Sequence, residues 1–485
     1  MRLTDLVSSE ATPSVPSQAR DPLIAGLTSD SRAVKPGFLF AALAGGKVDG
    51  AAFVAEAVAK GAVAILGAPG TKAPDGVPVI EDANPRRRLA LMAARFFGRQ
   101  PAHVAAVTGT NGKTSTVQFA RQLWTLLGNK AASLGTLGVT APGVEKYGSL
   151  TTPDTVSLHQ VLAELADAGV DHLALEASSH GLDQYRLDGV RIEAAGFTNL
   201  SRDHLDYHGS MEAYLAAKSM LFDRVLLPGG TAVLNTDAPE FNPLSELSSR
   251  RGHRLIGYGT QAKELHVLDL TPLPHGQRLK LAVFGRVHDI HLPLAGRFQC
   301  MNALCALGLA IGAGAQPDEA ASALEKLDGV RGRLELVATH PSGAPIYVDY
   351  AHTPDALETV LTALRPHARK RLVVVFGCGG DRDRGKRPVM GGLAHRLADR
   401  AIVTDDNPRT EVAAEIRREV MAGCPCSEEI GDRAAAIRAA IRELDEGDVL
   451  VIAGKGHERG QIVGTEVRPF DDADEAREAL REMRV

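Results

Sequence analysis

Short apolar runs bounded by turn residues recur along the chain, and many of them alternate with segments of helical spacing. Near the start, Val34-Lys35-Pro36-Gly37 is a turn signal ahead of the apolar run Phe38-Leu39-Phe40-Ala41-Ala42-Leu43, a predicted strand. Phe53 to Lys60 has the spacing of a short amphipathic helix closed by Gly61, and Val63-Ala64-Ile65-Leu66 follows as a second strand. The polar, proline-marked Arg99-Gln100-Pro101 sets a first boundary, so the first block is 1–99. A second block, 100–331, opens with the strand His103-Val104-Ala105-Ala106-Val107 and a glycine loop. The helix after that loop places Val117, Ala120, Trp124 and Leu127 at helical spacing, and Gly128 ends it. Leu173-Ala174-Leu175 and Thr231-Ala232-Val233-Leu234 are further strands of this block, which fades into the charged Gly329-Val330-Arg331-Gly332-Arg333, a predicted hinge around Gly332. In the third block, 332–485, Ile346-Tyr347-Val348, Leu372 to Phe376, Ala401-Ile402-Val403 and Val449-Leu450-Val451-Ile452 alternate with helical stretches. That alternation predicts a doubly wound parallel sheet, so the class is α/β in three domains. The acidic run Asp471 to Glu478 is expected to be the solvated face of a last helix.

Composition narrows the function classes. The 485 residues are 44% hydrophobic and 23% charged, ordinary for a globular chain of about three domains. Aromatics are only 4%, so the cores must rest on Ala, Val and Leu. Lys plus Arg number 54 against 59 Asp plus Glu, a net charge of -5, which disfavours dedicated nucleic-acid binding. No apolar run reaches the ~18 residues of a membrane span, and Met1-Arg2-Leu3-Thr4-Asp5 leads into no signal-peptide stretch. Five cysteines make no disulfide framework, and Cys424-Pro425-Cys426 lacks the partners of a zinc site. A cytoplasmic, monomeric protein acting on small molecules is the expectation.

The glycine loop is Thr108-Gly109-Thr110-Asn111-Gly112-Lys113-Thr114-Ser115, set between a predicted strand and a predicted helix. Glycines let backbone N–H groups turn toward phosphate oxygens, and the helix N-terminus adds partial positive charge. Lys113 would reach the β- and γ-phosphates and the Thr114 hydroxyl a Mg²⁺ ion. The usual spacing puts a glycine five positions before Gly112, where this chain has Val107. A signalling GTPase is disfavoured, since the nearest string to a guanine-reading motif is Asn129-Lys130-Ala131-Ala132. Downstream, Glu176 ends a strand and His204 lies in Asp203-His204-Leu205-Asp206; a carboxylate and an imidazole suit a divalent metal. Lys218 poses a conflict if it shares that site. An ammonium ~4 Å from Mg²⁺ would feel about 8 kcal/mol of repulsion at an effective dielectric near 20. It must be distant, neutral, or converted to an anion such as a CO₂-derived carbamate, which needs a deprotonated amine.

Taken together these strings resemble the Mur ligase family, ATP-dependent amide-forming ligases of cell-wall precursor synthesis, and within it the enzymes that add the third residue of the peptide. The supporting strings are Asp30-Ser31-Arg32 with Pro36-Gly37, the phosphate loop, Thr151-Thr152-Pro153 and Ser178-Ser179-His180-Gly181-Leu182. They continue through Asp203 to His208, Asp349-Tyr350-Ala351-His352-Thr353-Pro354, Asp406-Asn407-Pro408-Arg409 and Gly454-Lys455-Gly456-His457-Glu458. The resemblance implies an N-terminal UDP-binding domain, a central P-loop ATPase-like parallel-sheet domain and a C-terminal Rossmann-like domain. It implies that Ser29, Ser31 and the turn Gly46-Lys47-Val48 hold the UDP end of the nucleotide substrate, while Thr151, Thr152, Ser178, Gln184 and Arg186 grip its muramoyl-dipeptide portion. Thr108, Gly109, Thr110, Asn111, Gly112, Lys113 and Thr114 would bind ATP, with Asn302 and Asp349 touching the nucleotide. Thr114, Glu176, His204 and a carbamylated Lys218 would hold Mg²⁺.

The third block supports an amino-acid site on its own terms. Gly377 to Arg382, Asp406 to Arg409 and Gly454 to Glu458 each follow a predicted strand, and loops at the carboxyl ends of parallel strands share one crevice. Arg382, Asp406, Asn407, Pro408, Arg409, Gly454 and Glu458 are the candidates. Two guanidinium groups, an amide and a carboxylate suit a zwitterion with an extra carboxylate, Arg409 forking the carboxylate and Glu458 pairing an ammonium. By resemblance, Asp-Asn-Pro-Arg marks diaminopimelate as the added residue. Lysine or ornithine as the amine, a folylpolyglutamate-synthetase-like ligase, and a non-enzymatic nucleotide-binding regulator remain open at this point.

Overall fold

The computed structural model describes residues 1–7, 21–45, 49–146 and 151–483. The expected turn Gly46-Lys47-Val48 lies outside the described residues. Two compact units are present, Met1–Gly257 with Gly308–Ala315, and Tyr258–Leu307 with Gln316–Val485. They do not match the three expected blocks one for one, since Tyr258–Leu307 belongs with the C-terminal unit. Among the described residues no helix is long and apolar enough to cross a membrane.

In the first unit, Gly26–Thr28, Phe38–Ala41, Ala62–Gly67 and Val79–Glu81 form a parallel sheet in chain order. The run after Pro36-Gly37 is therefore a strand as patterned, ending at Ala41. A second sheet places Leu226–Asn235, Ile192–Phe197, His103–Thr108, His172–Glu176 and Ala131–Gly135 side by side, all parallel. The antiparallel strands Gly138–Ala141 and Val144–Lys146 follow at that end. The phosphate-loop helix is Lys113–Leu126; Val117, Ala120 and Trp124 are buried, as their spacing requires. Leu123 joins them on that face, while Leu127 is only half-buried. Ala, Val and Leu fill the core around Val104, Ala106, Leu173 and Leu175, as the scarcity of aromatics demands.

The second unit contains an antiparallel meander, Leu265–Leu273, Gly276–Val283 and Arg286–Leu292, which alternation into α/β units does not foresee. Its main sheet runs Glu335–Thr339, Pro345–Asp349, Val449–Ala453, Leu372–Phe376, Arg400–Val403, Glu428–Glu429. Only the first pairing is antiparallel. The last major strand, Val449–Ala453, inserts between two earlier ones, so the chain winds to opposite sides of the sheet and leaves a crevice at the carboxyl ends.

Two details correct expectations. The final helix is Asp472–Glu482, but Asp472 is not solvated: it is fully buried in a two-bond ion pair with the equally buried Arg433, at 2.7 Å for each bond. Nor does Gly332 sit between the units. It lies inside the second at φ +64, its N–H donating to Glu335 Oε2 and its carbonyl accepting from the Tyr350 N–H. A Cβ there would come 2.2 Å from the His457 nitrogen, so glycine is demanded by backbone contact as well as by φ.

Gly332→Ala is expected to lower stability by about 2–4 kcal/mol, combining left-handed strain with a clash that must open the backbone. Gly464→Ala, at φ +60 with nothing within 4 Å of the added carbon, is expected to cost about 1 kcal/mol from strain alone. Urea titration of both variants checks the difference.

Candidate active site

Two clusters of candidate residues form, one in each unit, and both lie where parallel strands end. In the first unit the strand His103–Thr108 runs into the phosphate loop. Gly109 adopts φ +145, and a Cβ would fall 1.9 Å from Thr198 Oγ1. Thr198, directly after the strand Ile192–Phe197, donates that hydroxyl to the Asn111 carbonyl at 2.6 Å. The N–H groups of Thr110 and Asn111 donate to Asn199, to its carbonyl at 2.8 Å and its Oδ1 at 3.0 Å. These two amides therefore brace the loop, and the helix's first-turn N–H groups are left to face an anion. The Thr198-Asn199 brace was not anticipated from sequence; a Thr-Asn pair directly after an apolar strand was its only mark.

Lys113 and Lys218 converge on one acceptor. Lys113 Nζ donates to the carbonyls of Gly109 at 2.9 Å and Thr110 at 2.8 Å, while Lys218 Nζ donates to the same Gly109 carbonyl at 2.8 Å. Lys218 is 1% exposed and lies 4.2 Å over the Tyr214 ring. Burial first, then the Lys113 charge, push its amine down to about 6. Of the three alternatives for Lys218, a neutral amine is the one this geometry favours.

Glu176 is 2% exposed and sits one strand over, in register with Val107. It accepts from the Thr136 N–H at 2.8 Å and the Thr136 hydroxyl at 3.3 Å, both neutral donors. Gly135 makes room for it, since a Cβ there would lie 2.1 Å from Glu176 Oε1. A hydrogen-bonded chain leads away: Thr136 Oγ1 meets Thr151 Oγ1 at 3.1 Å, Thr152 Oγ1 donates to the Glu176 carbonyl at 2.8 Å, and the Ser178 N–H donates to Thr152 Oγ1 at 3.0 Å. Arg186 continues it, donating to the Thr152 carbonyl at 2.7 Å and to Gln184 Oε1 at 2.7 Å. Thr151, Thr152, Ser178, Gln184 and Arg186 thus form one connected surface with Glu176. His204, left-handed at φ +51 and half-exposed, packs edge-on to His180 at 4.9 Å between ring centres.

Among the described residues, no three of His, Cys, Asp and Glu are grouped to hold a metal by themselves. The donor chemistry nonetheless suits Mg²⁺, which keeps few protein ligands and takes the rest from water and phosphate. Among the described residues the buried Glu176 carboxylate is met by neutral donors, an arrangement that suits a cation beside it. At the head of the unit, Ser29 and Ser31 follow the strand Gly26–Thr28. Ser29 is exposed and Ser31 buried, its carbonyl taking a 3.1 Å bond from Lys60 Nζ. Asp30 caps this turn and forks Arg32 at 2.8 and 2.9 Å.

The second unit gathers Arg382, Asp406, Asn407, Arg409, Gly454 and Glu458 around one cleft of about 620 Å³. Pro408 does not line it; its carbonyl packs on Gly380, where a Cβ would come within 1.9 Å. Arg409 is itself left-handed, at φ +51, held by its N–H to the Ile462 carbonyl at 3.0 Å and by its own carbonyl from the Gly464 N–H at 2.7 Å. That conformation sends its guanidinium to the Gly380 carbonyl at 2.9 Å, across a gap that only glycine at 379 leaves open. Tyr350, His352 and Lys386 also line the cleft and were missed. The first two belong to the string Asp349 to Pro354; Lys386, which donates to the His352 carbonyl at 2.7 Å, carried no signal beyond a basic residue opening a helix.

Asn302 and Asp349, expected at the nucleotide, both belong to the second unit, and the phosphate loop belongs to the first. Asn302 is buried and donates to Gln299 Oε1 at 3.0 Å. Asp349 accepts from the N–H groups of Leu334 and Ala351, and burial raises its carboxyl to about 6 against the pull of nearby Arg333.

Comparison with known proteins matches this arrangement over nearly its whole length. The Mur ligase middle domain matches residues 107–310, the "Mur ligase, glutamate ligase domain" 332–456, and the "Mur ligase family, catalytic domain" 23–97. The UDP-N-acetylmuramoyl-L-alanyl-D-glutamate–2,6-diaminopimelate ligase of Chelativorans sp. (strain BNC1) is 55% identical over 465 residues, 96% of each chain. Its counterpart in Caulobacter vibrioides is 55% identical over 468 residues, 95% of this chain and 96% of that one. A solved structure of an enzyme of the same name superposes with a TM-score of 0.77 at 33% identity, covering 100% of this chain and 99% of the other. The chain belongs to the Mur ligase family.

Proposed function

We propose that this enzyme joins meso-diaminopimelate to the D-glutamyl γ-carboxylate of UDP-N-acetylmuramoyl-L-alanyl-D-glutamate, with ATP as the energy source, in peptidoglycan synthesis. The observation that carries the reading is the second-unit cleft, where the guanidinium groups of Arg382 and Arg409, the Asn407 amide and the carboxylates of Asp383, Asp406 and Glu458 line one cavity, with Lys386 beside them. A diamino diacid matches that set: its far carboxylate takes the Arg409 fork and its far ammonium takes Glu458. Lysine and ornithine lack the far carboxylate and would leave the Arg409 fork without it. We assign the UDP end to domain 1–99, ATP to 100–331 and the amine to 332–485, in a monomeric cytoplasmic enzyme.

The reaction joins two anions, a carboxylate and a triphosphate. Attack of the γ-carboxylate on the γ-phosphorus forms an acyl phosphate and releases ADP; the amine of the third residue then attacks the acyl carbon and expels phosphate. Lys113 and the first-turn N–H groups of its helix supply positive charge at the phosphates, where negative charge develops. Binding ATP requires Lys113 to exchange the Gly109 and Thr110 carbonyls for phosphate oxygens. Thr151, Thr152, Ser178, Gln184 and Arg186 orient the dipeptide beside Glu176. Thr114, Glu176, His204 and Lys218 as a carbamate would hold Mg²⁺, which offsets the repulsion between the two anions when bound. Carbamate formation needs the Lys218 lone pair, which bonds to CO₂ carbon as one N–H proton leaves. An amine held near 6 supplies that lone pair at neutral pH.

Phosphate release with the dipeptide nucleotide and ATP, offering each amine separately, tests the reading. Meso-diaminopimelate should exceed lysine and ornithine by about 10²-fold or more in kcat/KM, since a lost fork leaves two charged donors unpaired. Equal turnover of the three would sink the amine assignment, and no phosphate release with any of them would sink the ligase. Arg409→Ala should raise KM for the amine about 10–100-fold with KM for ATP nearly unchanged. Lys218 gives a pH signature in the metal-free protein. Its folded pKa of about 6 lies below the ordinary lysine value of 10.5, so between those values the unfolded chain binds the extra proton and native stability rises with pH. Lys218→Met removes that penalty. The variant should melt above wild type at pH 6, and the gap should close as pH rises toward 10; a pH-independent gap would refute the shift.

A further inference from the structure

Lys455 is a buried charge that the reaction as derived leaves without a task. It follows the strand Val449–Ala453, stands between Gly454 and Gly456, both at positive φ, and is 0% exposed. Its Nζ donates to Asn407 Oδ1 at 2.9 Å and lies 3.4 Å from Glu458 Oε2. Burying an ammonium is costly unless partners repay it, and an apolar side chain of the same length would fill the space at less expense.

What the charge does is set the direction of an amide. Asn407 Oδ1 receives two donors, Lys455 Nζ and the Ile462 N–H at 3.0 Å, neither of which can accept. The amide is thereby held with Nδ2 toward Glu458, to whose Oε2 it donates at 2.9 Å. Glu458 Oε2 is thus occupied by Asn407 and Lys455, and Oε1 has no protein donor among the described residues. Glu458 lines the cleft with its side chain 34% exposed.

We propose that Lys455 is a positioning residue of the amine site: through Asn407 it fixes one oxygen of Glu458 and presents the other to the far ammonium of the diamino substrate. The inference rests on the reading given under Proposed function. Lys455 touches neither the substrate nor the reacting atoms. It acts by holding an acceptor at a set place before the ligand arrives, which is where binding energy is gained by preorganisation.

The test is steady-state kinetics of Lys455→Met in the full chain, varying each of the three substrates. KM for meso-diaminopimelate should rise about 10–100-fold, while kcat falls less than about threefold and KM for ATP and for the dipeptide nucleotide stay within about twofold. The penalty for deleting the far amino group, measured as the ratio of kcat/KM for meso-diaminopimelate to that for 2-aminopimelate, should shrink by at least about tenfold in the variant. Lys455→Gln, whose amide can still donate to Asn407, should recover part of the lost KM and can be read alone if the methionine variant does not fold. An unchanged amine KM, a parallel loss toward all three substrates, or failure of both variants to fold would overturn the inference and leave Lys455 a core residue. Wild-type enzyme with no amine-dependent phosphate release would instead overturn the reaction itself.

Discussion

The carbonyl oxygen of Gly109 accepts from two lysine side chains at once. Two ammonium groups on one oxygen repel each other, and one of them, Lys218, is buried against an aromatic ring with no carboxylate bonded to it among the described residues. The electrostatic answer is a neutral Lys218 and a charged Lys113. Everything around that oxygen serves to keep it in place. Gly109 has its unusual φ because Thr198 fills the space a side chain would take, and Thr198 and Asn199 tie the loop to the neighbouring strand. A loop braced from behind by a second strand presents its helix N-terminus without having to reorganise when an anion arrives, which is the condition under which fixed dipoles are most effective.

The second unit solves a related problem with buried charge. Its cleft is made of loops, which are loose unless tied. Arg387, 0% exposed, binds Glu411 at 2.8 Å and Glu419 at 2.7 Å and reaches the Gly379 carbonyl at 3.3 Å, so it joins the loop after Phe376 to the segment after Arg409. Arg433 does the same deeper in, linking Asp472 to the Ala453 carbonyl at the base of the Gly454–Glu458 loop. Such pairs contribute little net stability compared with apolar packing, but breaking one leaves an uncompensated charge. They make the arrangement of loops all-or-none, and Arg409 needs that, because a left-handed arginine persists only where its surroundings over-determine it.

Much of this could be read along the chain, for reasons that differ by element. Strand–glycine loop–Gly-Lys-Thr–helix is local in sequence and local in space, so the loop was legible down to Lys113 and Thr114. The three loops of the second-unit cleft were legible because parallel strands deliver their carboxyl ends to one edge, whatever the strand order. The meander at 265–292 was not, since its strands carry polar residues such as Asp269, Lys280 and Asp289 that blur the alternation. Asp472 misled for a different reason: an acidic helix start looks solvated unless its partner, Arg433, is known to arrive from 39 residues earlier. Lys386 escaped because its one hydrogen bond among the described residues is to a backbone carbonyl 34 residues away.

Two buried lysines show how far burial alone falls short as a guide to chemistry. Lys218 and Lys455 are both almost fully enclosed, and both end on an uncharged oxygen within 3 Å. Their second neighbours differ. Lys218 looks past its carbonyl to another cation, whereas Lys455 looks past its amide to a carboxylate. The same side chain thereby meets a like charge in one unit and a carboxylate in the other. Composition and spacing treat the two alike; at Lys218 burial lowers the amine first and the Lys113 charge adds to it. For a ligase that joins a carboxylate to the amine of a diamino diacid with ATP, the sign of the charge beside each buried lysine matters as well as its burial.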